Sequence, residues 1–394
     1  MLDNNNIIQE IIGIKGLEIK KVINVLGEIH IYFRLKHEEM ICPRCGSKVK
    51  HVHDYREQQL KDEEISGQRT ILHYNKRRYR CPECGKRFAE ENEIAGRYQR
   101  ITRRLMKRII KGFSKLQSVK ATAKDNNISE TTAMRILNRI KLTGPIELPE
   151  CLSIDEFKGN AEGEKFQCIL ADPKKKEVID ILPERKNESL YGYFSRFSNR
   201  RDVKYIVMDM SGPFREMAKT CFPKAKIVAD RYHVVRQVCW AMENVRKTVQ
   251  KEFTSDRRKY FKRSRFLLLK HMDKLKKEEF DRLEIMLSSS EKLRRAYYLL
   301  QEFYRIMGLK TDRQGIKREL AKWIVTAESY DLPEYRSSIT AIRNWIEEIL
   351  NSFEYGLTNG YTEGMNNKIK VLKRVSFGIR NFNRFRTRIL LAAG

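Results

Sequence analysis

The sequence lacks long apolar stretches, and its N-terminus lacks the pattern of an export signal. No run of about 18 consecutive apolar residues occurs in the 394-residue chain, so no membrane-spanning helix is expected. The first residues, MLDNNNIIQE, have no basic segment followed by an apolar one, so secretion is not expected either. Without an internal repeat or low-complexity tract, domains have to be recognised from motifs and periodicity. The expected location is the cytoplasm.

Acidic residues are scarce relative to basic ones. The chain has 51 Asp and Glu against 80 Lys and Arg, a formal net charge of +29 and a pI near 9.8. This surplus favours a polyanionic partner such as nucleic acid, because unneutralised like charges repel one another. Many of the bases lie in two runs, and either run could also be a solvated helix face. One contains Arg97, Arg100, Arg103, Arg104, Lys107, Arg108 and Lys111, and the other has eight bases from Lys368 to the C-terminus.

Cysteine is sparse outside two closely spaced pairs. Four of the eight cysteines are scattered in apolar contexts, so no disulfides are expected. The other four lie in CPRCGSK and CPECGKRF: Cys42, Cys45, Cys81 and Cys84. Two CxxC turns followed by Gly are typical of a tetrahedral zinc site, although redox-active pairs share this spacing. Four thiolates complete the zinc shell without the nearby histidines, which are His51, His53 and His73.

The spacer between the two cysteine pairs is long. It has 35 residues, whereas zinc sites of this type commonly have about 15 to 20. We therefore expect the spacer to fold as a hairpin. The alternation in RTILHYNKRRYRC predicts one of its strands.

Residues 101–142 have the periodicity of helices. SVKATAKDNNISETTAMRILNRI predicts a helix-turn-helix, with NNIS as the turn and Ser129 as the cap of the second helix. The leading end of that helix would enter a major groove. An ordinary helical hairpin has the same pattern, but the preceding basic run favours DNA binding. The residues expected to contact DNA here are Arg103, Arg104, Lys107, Arg108, Thr131, Thr132 and Arg135.

After a Gly- and Pro-containing linker at 143–150, strands and helices alternate. CLSIDEF, KFQCILAD and EVIDILPE predict three short buried strands, followed by a helix in ESLYGYFSRF. KYIVMDMS and AKIVADRYH predict two further strands separated by the helix GPFREMAKTCF, and a long helix begins near Val234. This order argues for a mixed sheet covered by helices. From 241 to 350 the spacing of apolar residues predicts helices alone.

Three aspartates end predicted strands, and one glutamate lies in a basic helix. Asp155, Asp209 and Asp230 each interrupt an apolar run. Burying a carboxylate there costs free energy unless the group is solvated, paired or bound to metal. An aspartate at the end of a strand is also often a turn or cap residue. Glu363 stands in YTEGMNNKIKVLKR, where it fits a metal ligand beside a phosphate backbone or an acid favoured by the helix dipole. Carboxylates in a basic protein suit metal-dependent phosphoryl transfer with Mg²⁺ or Mn²⁺.

The predicted C-terminal helix has two faces. Glu363, Asn367, Lys370 and Arg374 share one side, and apolar residues lie opposite. We expect Lys370 and Arg374 to contact DNA phosphates. Three tryptophans lie in or beside the helical region: Trp240, Trp323 and Trp345. Core packing is favoured for them, although one could stack on an extruded base.

The ordered motifs resemble the ISL-three family of bacterial insertion-sequence transposases over almost the whole chain. The motifs are the two CxxC pairs, the helix-turn-helix, SIDEF, VMDMS, DRYHVV and LTNGYTEGMNNKIKVLKRVSFGIRNFNRFRTRIL. The resemblance implies a ribonuclease H-like catalytic domain with a DDE triad of Asp155, Asp209 and Glu363, interrupted by a helical insertion. Asp230 competes with Asp209 as the second acid, and the family motif favours a structural or DNA-positioning role for Asp230 and His233.

The implied architecture is a multi-domain α/β protein. We expect a zinc-ribbon domain over 1–95, a helix-turn-helix domain over 96–145, a ribonuclease H-like core over 150–240 and 351–394, and an all-helical insertion over 241–350. The resemblance implies metal-dependent strand cleavage and strand transfer, double-stranded DNA with terminal inverted repeats as partner, a homodimer on paired ends, and a bacterial, nucleoid-associated location. A non-catalytic DNA-binding regulator and a structure-specific nuclease are the alternatives.

Overall fold

The structure, a computed structural model, describes residues 4–14, 16–96, 98–261 and 264–394. They form two compact units, one built mainly from the chain up to Leu142 and one mainly from Thr143 onward. Two C-terminal segments, Leu372–Gly378 and Thr387–Ala392, belong to the first unit. The expected segment 351–394 is therefore divided between the units. Arg97 of the first basic run lies outside the described residues.

The described part of the chain up to Leu142 combines a main sheet with four helices. Its elements are α1 Asn4–Ile12, β1 Leu17–Val25, β2 Glu28–Leu35, β3 Met40–Ile41, β4 Lys48–Val49, β5 Val52–Ile65, β6 Gln68–Arg80, β7 Arg87–Ala89, α2 Arg103–Ser114, α3 Val119–Lys124 and α4 Glu130–Arg139. The sheet order is β1-β2-β6-β5, with β7 also paired to β6. The antiparallel pair β5–β6 confirms the predicted hairpin, and its turn uses positive φ at Ser66 and Gly67.

Helices α2, α3 and α4 of the first unit pack on a small apolar core. Hydroxyl side chains cap each helix: Thr102, Ser118 and Ser129 accept from backbone amides in the first turns of α2, α3 and α4. The prediction that Ser129 caps the second helix of the pair is confirmed. The core is formed by Leu105, Ile109, Phe113, Ala123, Ala133, Ile136 and Leu137.

The second unit is built around a five-stranded mixed sheet. Its first elements are β8 Cys151–Phe157, β9 Gln167–Asp172, β10 Glu177–Leu182, α5 Asn187–Ser195, β11 Tyr205–Met208, α6 Gly212–Cys221, β12 Lys226–Ala229 and α7 Arg231–Lys251. The strand order is β10-β9-β8-β11-β12, with β8, β9 and β10 antiparallel and β11 and β12 parallel to β8. The predicted order of strands and helices is confirmed. The apolar runs of β8 and β9 are buried almost throughout, whereas the first half of β10 is partly exposed.

Helices alone follow α7 up to residue 355 within the described part of the chain, which confirms the predicted helical character of 241–350. They are α8 Ser255–Phe261, α9 Arg265–Leu268, α10 Lys277–Ser288, α11 Glu291–Gly308, α12 Arg313–Ser329, α13 Arg336–Asn344 and α14 Ile346–Tyr355. Two more helices end the chain, α15 Gly360–Val375 and α16 Phe382–Ala393. None of the described helices is both long and apolar enough to cross a bilayer.

The tryptophans divide between core and surface. Trp323 and Trp345 are buried in the apolar core of the helical region, as predicted. Trp240 is 46% exposed, so the prediction that it packs in the core was wrong for this residue. It lies on the outer side of α7, whose opposite side carries the buried Val238, Ala241 and Val245.

Candidate active site

Three aspartates stand at the same level of three neighbouring parallel strands. The register sets Met208 of β11 opposite Ile154 of β8 and opposite Ala229 of β12. The next residue in each case is an aspartate: Asp155, Asp209 and Asp230. Because neighbouring strands lie about 4.8 Å apart, this register brings the three residues together where the strands open onto a crevice.

Asp155 is a buried carboxylate with two hydrogen-bond donors. The backbone amide of Glu156 donates to its Oδ1 at 2.7 Å, and the side-chain amide of Asn366 donates to its Oδ2 at 2.6 Å. Burial raises the pKa of Asp155 to about 6, and the nearby charges of Asp230, Glu156 and Glu363 act in the same direction. The two hydrogen bonds therefore hold the carboxyl group in place, while ionising it costs more free energy than ionising an exposed aspartate.

Asp209 has one oxygen engaged and one unpartnered. Its Oδ2 lies 3.1 Å from Nδ1 of His233, while its buried Oδ1 has no hydrogen-bond partner among the described residues. Burial raises the pKa of Asp209 to about 8, with further contributions from the charges of Asp155 and Asp230. One potential ligand atom from each of Asp209, Asp230 and His233 lies within 4.8 Å of the other two. An unpartnered buried oxygen in such a group fits a cation.

Asp230 is tied to the backbone at the end of β12. Its amide donates to the carbonyl of Met208 at 2.9 Å, and its carboxylate lies 3.5 Å from the amide of Asn359. Burial raises its pKa, and the amides of Asn359 and Tyr232 oppose this increase. Asp230 is also the N-cap residue of α7, so the long helix starts directly after the acid cluster.

Glu363 comes to this region from the other end of the chain. It lies in the first turn of α15, half-buried, and its charge raises the pKa of both Asp155 and His233. Three residues further along the same helix, Asn366 makes the hydrogen bond to Asp155. The spacing i, i+3 places both side chains on the same side of α15.

A buried polar network fastens the start of α15 to β8. The hydroxyl of Ser153 donates to the side-chain oxygen of Asn359 and lies 2.6 Å from the hydroxyl of Thr362. All three residues are nearly inaccessible to solvent. Sequence reasoning gave no role to Asn359, Thr362 or Asn366, although the Thr-Asn-Gly and Glu-Gly-x-Asn elements that contain the two asparagines signalled them.

Two adjoining cavities open beside the acids. One of 190 Å³ is lined in part by Asp209, His233 and Gln237. The other, of 660 Å³, shares Glu156 and Arg185 with the first and extends to the N-terminus of α6. Arg185 pairs with Glu156 and covers the ring of Phe166, with Cζ 4.6 Å from the ring centroid. A basic side chain thus lines both cavities beside the acids.

The four predicted thiol ligands meet in the first unit. Sγ of Cys42 is 3.6 Å from Sγ of Cys84, and Sγ of Cys45 is 3.5 Å from Sγ of Cys81. In both CxxC turns the glycine amide donates to the carbonyl of the first cysteine at 3.0 Å. Hydrogen bonding from Ser47 lowers the pKa of the Cys45 thiol to about 6. Four clustered sulfurs form a donor set that fits Zn²⁺. His73 instead lies 2.8 Å from a carboxylate oxygen of Glu57.

The DNA-contacting candidates of the first unit differ in their surroundings. Thr131 and Arg135 are exposed on α4, and the Thr132 hydroxyl lies 2.9 Å from the capping hydroxyl of Ser129. Arg103 and Lys107 are exposed on α2. Arg104 and Arg108 of α2 are instead engaged by acids of β5, which sequence reasoning did not foresee. Arg104 donates to both carboxylate oxygens of buried Asp62, from Nε at 2.7 Å and from Nη2 at 2.5 Å. The guanidinium of Arg108 lies 3.8 Å from a carboxylate oxygen of Glu63.

The C-terminal basic run also divides into exposed and internal charges. Lys370 and Arg374 are exposed, while the apolar residues opposite them on α15 are buried, as the periodicity predicts. Arg386 instead pairs with Asp180 at 2.6 Å. Arg388 is fully buried and donates to two backbone carbonyls between α2 and α3, at 2.7 and 3.2 Å. Part of this run therefore stabilises the fold.

Sequence comparisons with known families cover the three regions in order. Residues 38–84 match the zinc-finger of transposases IS204, IS1001, IS1096 and IS1165. Residues 90–140 match the helix-turn-helix domain of transposase family ISL3, and residues 152–389 match the ISL3 transposase DDE domain. The last match alone covers more than half of the chain. The chain belongs to the ISL3 family of transposases.

Individual relatives agree with this assignment. The transposase for insertion sequence element IS1001 of Bordetella parapertussis is 27% identical over 92% of this chain and 91% of its own length. The transposase for IS1557 of Mycobacterium tuberculosis is 20% identical over 58% of this chain and 57% of its own length. A protein of Lactococcus lactis named ATP-dependent protease is 30% identical over 29% of this chain and 36% of its own length, a partial match that carries no functional argument.

The three family matches correspond to structural regions in their order along the chain. The zinc-finger match encloses all four clustered cysteines, and the helix-turn-helix match encloses α2, α3 and α4. The DDE match begins at β8 and ends in α16, so it includes Asp155, Asp209, Asp230 and Glu363. The ISL3 transposase is thus a DNA-binding, DNA-processing enzyme with a zinc ribbon and a mixed α/β catalytic region.

Proposed function

We propose that the second unit is a ribonuclease H-like catalytic domain that cuts and joins DNA at the ends of an insertion sequence. The observation that carries the proposal is the common level of Asp155, Asp209 and Asp230 on three adjacent parallel strands. The topology supports it, because a three-stranded antiparallel meander continues into two strands parallel to the first. The helical region between β12 and α15 would be the insertion. The domain limits proposed are 1–95, 96–145, 150–240 with 351–394, and 241–350.

The proposed ligands of Mg²⁺ or Mn²⁺ are Asp155, Asp209 and Glu363. Hard carboxylate oxygens suit these ions, and the unpartnered Oδ1 of Asp209 is available to one. Bound divalent cations would supply Lewis-acid activation of the attacking oxygen and stabilisation of the leaving oxygen. The raised pKa values of Asp155 and Asp209 support a cation site, because a positive charge would offset the cost of ionising both groups.

Other side chains of the chain would position these carboxylates. Asn366 holds one oxygen of Asp155 by a 2.6 Å hydrogen bond, and His233 occupies one oxygen of Asp209. Burial lowers the pKa of His233, which favours the neutral imidazole that can donate from Nδ1. We assign Asp230 and His233 to positioning, with Asp209 as the second acid of the triad. No serine, tyrosine or cysteine nucleophile is required.

The reaction proposed has two phosphoryl transfers. Water attacks a phosphodiester at the element end, so a new P–O bond forms and the bond to the departing 3′ oxygen breaks, leaving a 3′-hydroxyl. That hydroxyl then attacks a phosphodiester in another DNA segment, and the strand is joined as the second leaving oxygen departs. Lys370 and Arg374 would bind phosphates, and the zinc ribbon and helix-turn-helix would bind the terminal inverted repeats. We propose a homodimer on paired ends, acting at the bacterial nucleoid.

The test is strand cleavage and joining by the purified protein. The substrate is an oligonucleotide duplex carrying the inverted repeat found beside the gene, and the target is a supercoiled plasmid in the presence of Mg²⁺. We expect Glu363→Gln to abolish both products while the repeat is still bound. Glu347→Gln is the matched control, because Glu347 is an exposed acid paired with Arg313 in the helical region. Unchanged cleavage by Glu363→Gln would refute the assignment, and cleavage without joining would indicate a nuclease.

A further inference from the structure

An exposed stripe of aromatic and basic side chains runs along α7. Tyr232, Arg236 and Trp240 are four residues apart and therefore share one side of the helix. Tyr232 is 52% exposed and Trp240 is 46% exposed, so both rings are accessible to a partner. The guanidinium Cζ of Arg236 lies 4.5 Å from the centroid of the Trp240 ring. We call these three residues the α7 stripe.

The α7 stripe begins at the acid cluster. The ring of Tyr232 makes an edge contact with His233, with 5.4 Å between ring centroids. The charge of Arg236 is close enough to lower the pKa of both Asp209 and His233. One residue further, Gln237 lines the 190 Å³ cavity together with Asp209. A strand whose phosphate lies at the acids could therefore continue onto the stripe.

The chemistry of the stripe fits nucleobases and phosphates together. An indole and a phenol offer flat apolar faces on which any base can stack, and a guanidinium offers charge to the backbone. The same side of the helix continues through exposed Asn244 and Lys247. Glu243 of the same helix is buried and accepts from Arg246 at 2.7 and 2.8 Å, and Nζ of Lys247 lies 4.0 Å from it. The charge of this surface is thus suited to an anionic partner.

We propose that the α7 stripe binds unpaired nucleotides of the DNA strand next to the phosphate that reacts. The inference rests on the proposed function, because it places the reacting phosphate at the acid cluster. Unpaired DNA is the favoured occupant because only an unstacked base exposes its face to Trp240. Intact duplex would present its backbone and groove edges, which Arg236 could contact but the indole could not stack on.

Binding measured without Mg²⁺ tests the stripe separately from cleavage. The probes are two fluorescein-labelled duplexes with the same terminal repeat, one blunt and one ending in four unpaired nucleotides. We expect the wild-type protein to bind the overhang duplex more tightly than the blunt one. In Trp240→Ala the ratio of these two affinities should fall by roughly fivefold or more, as expected when one stacked base is lost. Affinity for the blunt duplex should change less than twofold. Trp240→Phe should recover most of the preference, because it retains an aromatic face.

Tyr298→Ala is the matched control, because Tyr298 is an aromatic residue of α11 with 48% exposure outside the stripe. It should leave both affinities unchanged. Equal weakening of the blunt and overhang duplexes by Trp240→Ala would overturn the proposal and assign the stripe to duplex DNA. Unchanged affinity for both would also overturn it and leave the surface to a protein partner. Failure of the wild-type protein to cleave would refute the proposed function without altering these binding results.

Discussion

Binding of Mg²⁺ to the acid cluster should release about one proton per protein at pH 7. The pKa of Asp209 is raised to about 8 and that of Asp155 to about 6, in both cases mainly by burial. At pH 7 these two groups together hold about one proton, which belongs to the cluster because interacting carboxyls titrate as a set. A cation that needs ionised carboxylates must displace that proton. The apparent affinity should therefore rise about tenfold per pH unit near pH 7 and level off above pH 8.

The same linkage predicts a pH-dependent stability of the metal-free protein. A folded-state pKa above the unfolded value means that the folded chain binds more protons between about pH 4 and pH 8. The free energy of unfolding should therefore fall as pH rises through this interval. Mg²⁺ should offset the loss, because it binds the ionised cluster of the folded state. The effect on stability is opposite in sign to that of a salt-bridged carboxylate.

Isothermal titration calorimetry in two buffers of different ionisation enthalpy measures the released protons directly. The protein should be dialysed free of Mg²⁺ without a chelator, so that the cysteine cluster is not stripped of its metal. Expected values are about one proton at pH 7 and about 0.1 at pH 9. Glu347→Gln should behave as the wild type, whereas Asp209→Asn should release much less. Mg²⁺ binding with no proton release between pH 6 and pH 8 would contradict the reasoning.

Two further predictions concern positioning and charge. Asn366→Ala should reduce strand cleavage at least tenfold while inverted-repeat binding is retained, because Asp155 loses its 2.6 Å hydrogen bond. Gel assays measure cleavage and binding separately. Equal losses of cleavage and of binding would contradict the prediction. Arg104→Ala should lower the unfolding free energy of the first unit by about 3 kcal/mol, since buried Asp62 loses its counter-ion and keeps the hydroxyl of Thr102 as donor. Arg103→Ala should leave stability unchanged and reduce the salt dependence of DNA binding. Urea denaturation and salt titrations distinguish the two arginines.

The strands of the catalytic region could be predicted because each one has a strong local signal. CLSIDEF corresponds residue for residue to β8, and VMDMS contains the end of β11. Buried strands are short apolar runs, and an acid that ends such a run interrupts the pattern visibly. The sequence could not reveal that Met208 aligns with both Ile154 and Ala229, since register is set by pairing between distant segments.

Contacts between distant segments account for most of what sequence reasoning missed. Asn366 and its partner Asp155 are 211 residues apart, and nothing local to either residue identifies the other. In the first unit, β2 pairs in parallel with β6 across the intervening zinc turn, so the sheet is larger than the predicted hairpin. The same limit applies to Arg388, whose acceptors are backbone carbonyls more than 270 residues earlier. A basic run in a sequence therefore does not separate structural charges from DNA-binding charges.

The register also explains why the sequence alone could not rank Asp209 and Asp230. Both follow a parallel strand, and both stand one residue beyond aligned positions on β11 and β12. What distinguishes them is the use of their carboxylate oxygens. Asp230 lies near the backbone amides of Asn359 and Tyr232, which rotation of a side chain cannot remove. Among the described residues, Asp209 pairs through one oxygen with a side chain, the ring of His233, and its buried Oδ1 has no partner. We therefore propose that Asp209 can turn toward a cation at less cost, so Asp209→Asn should impair cleavage more than Asp230→Asn.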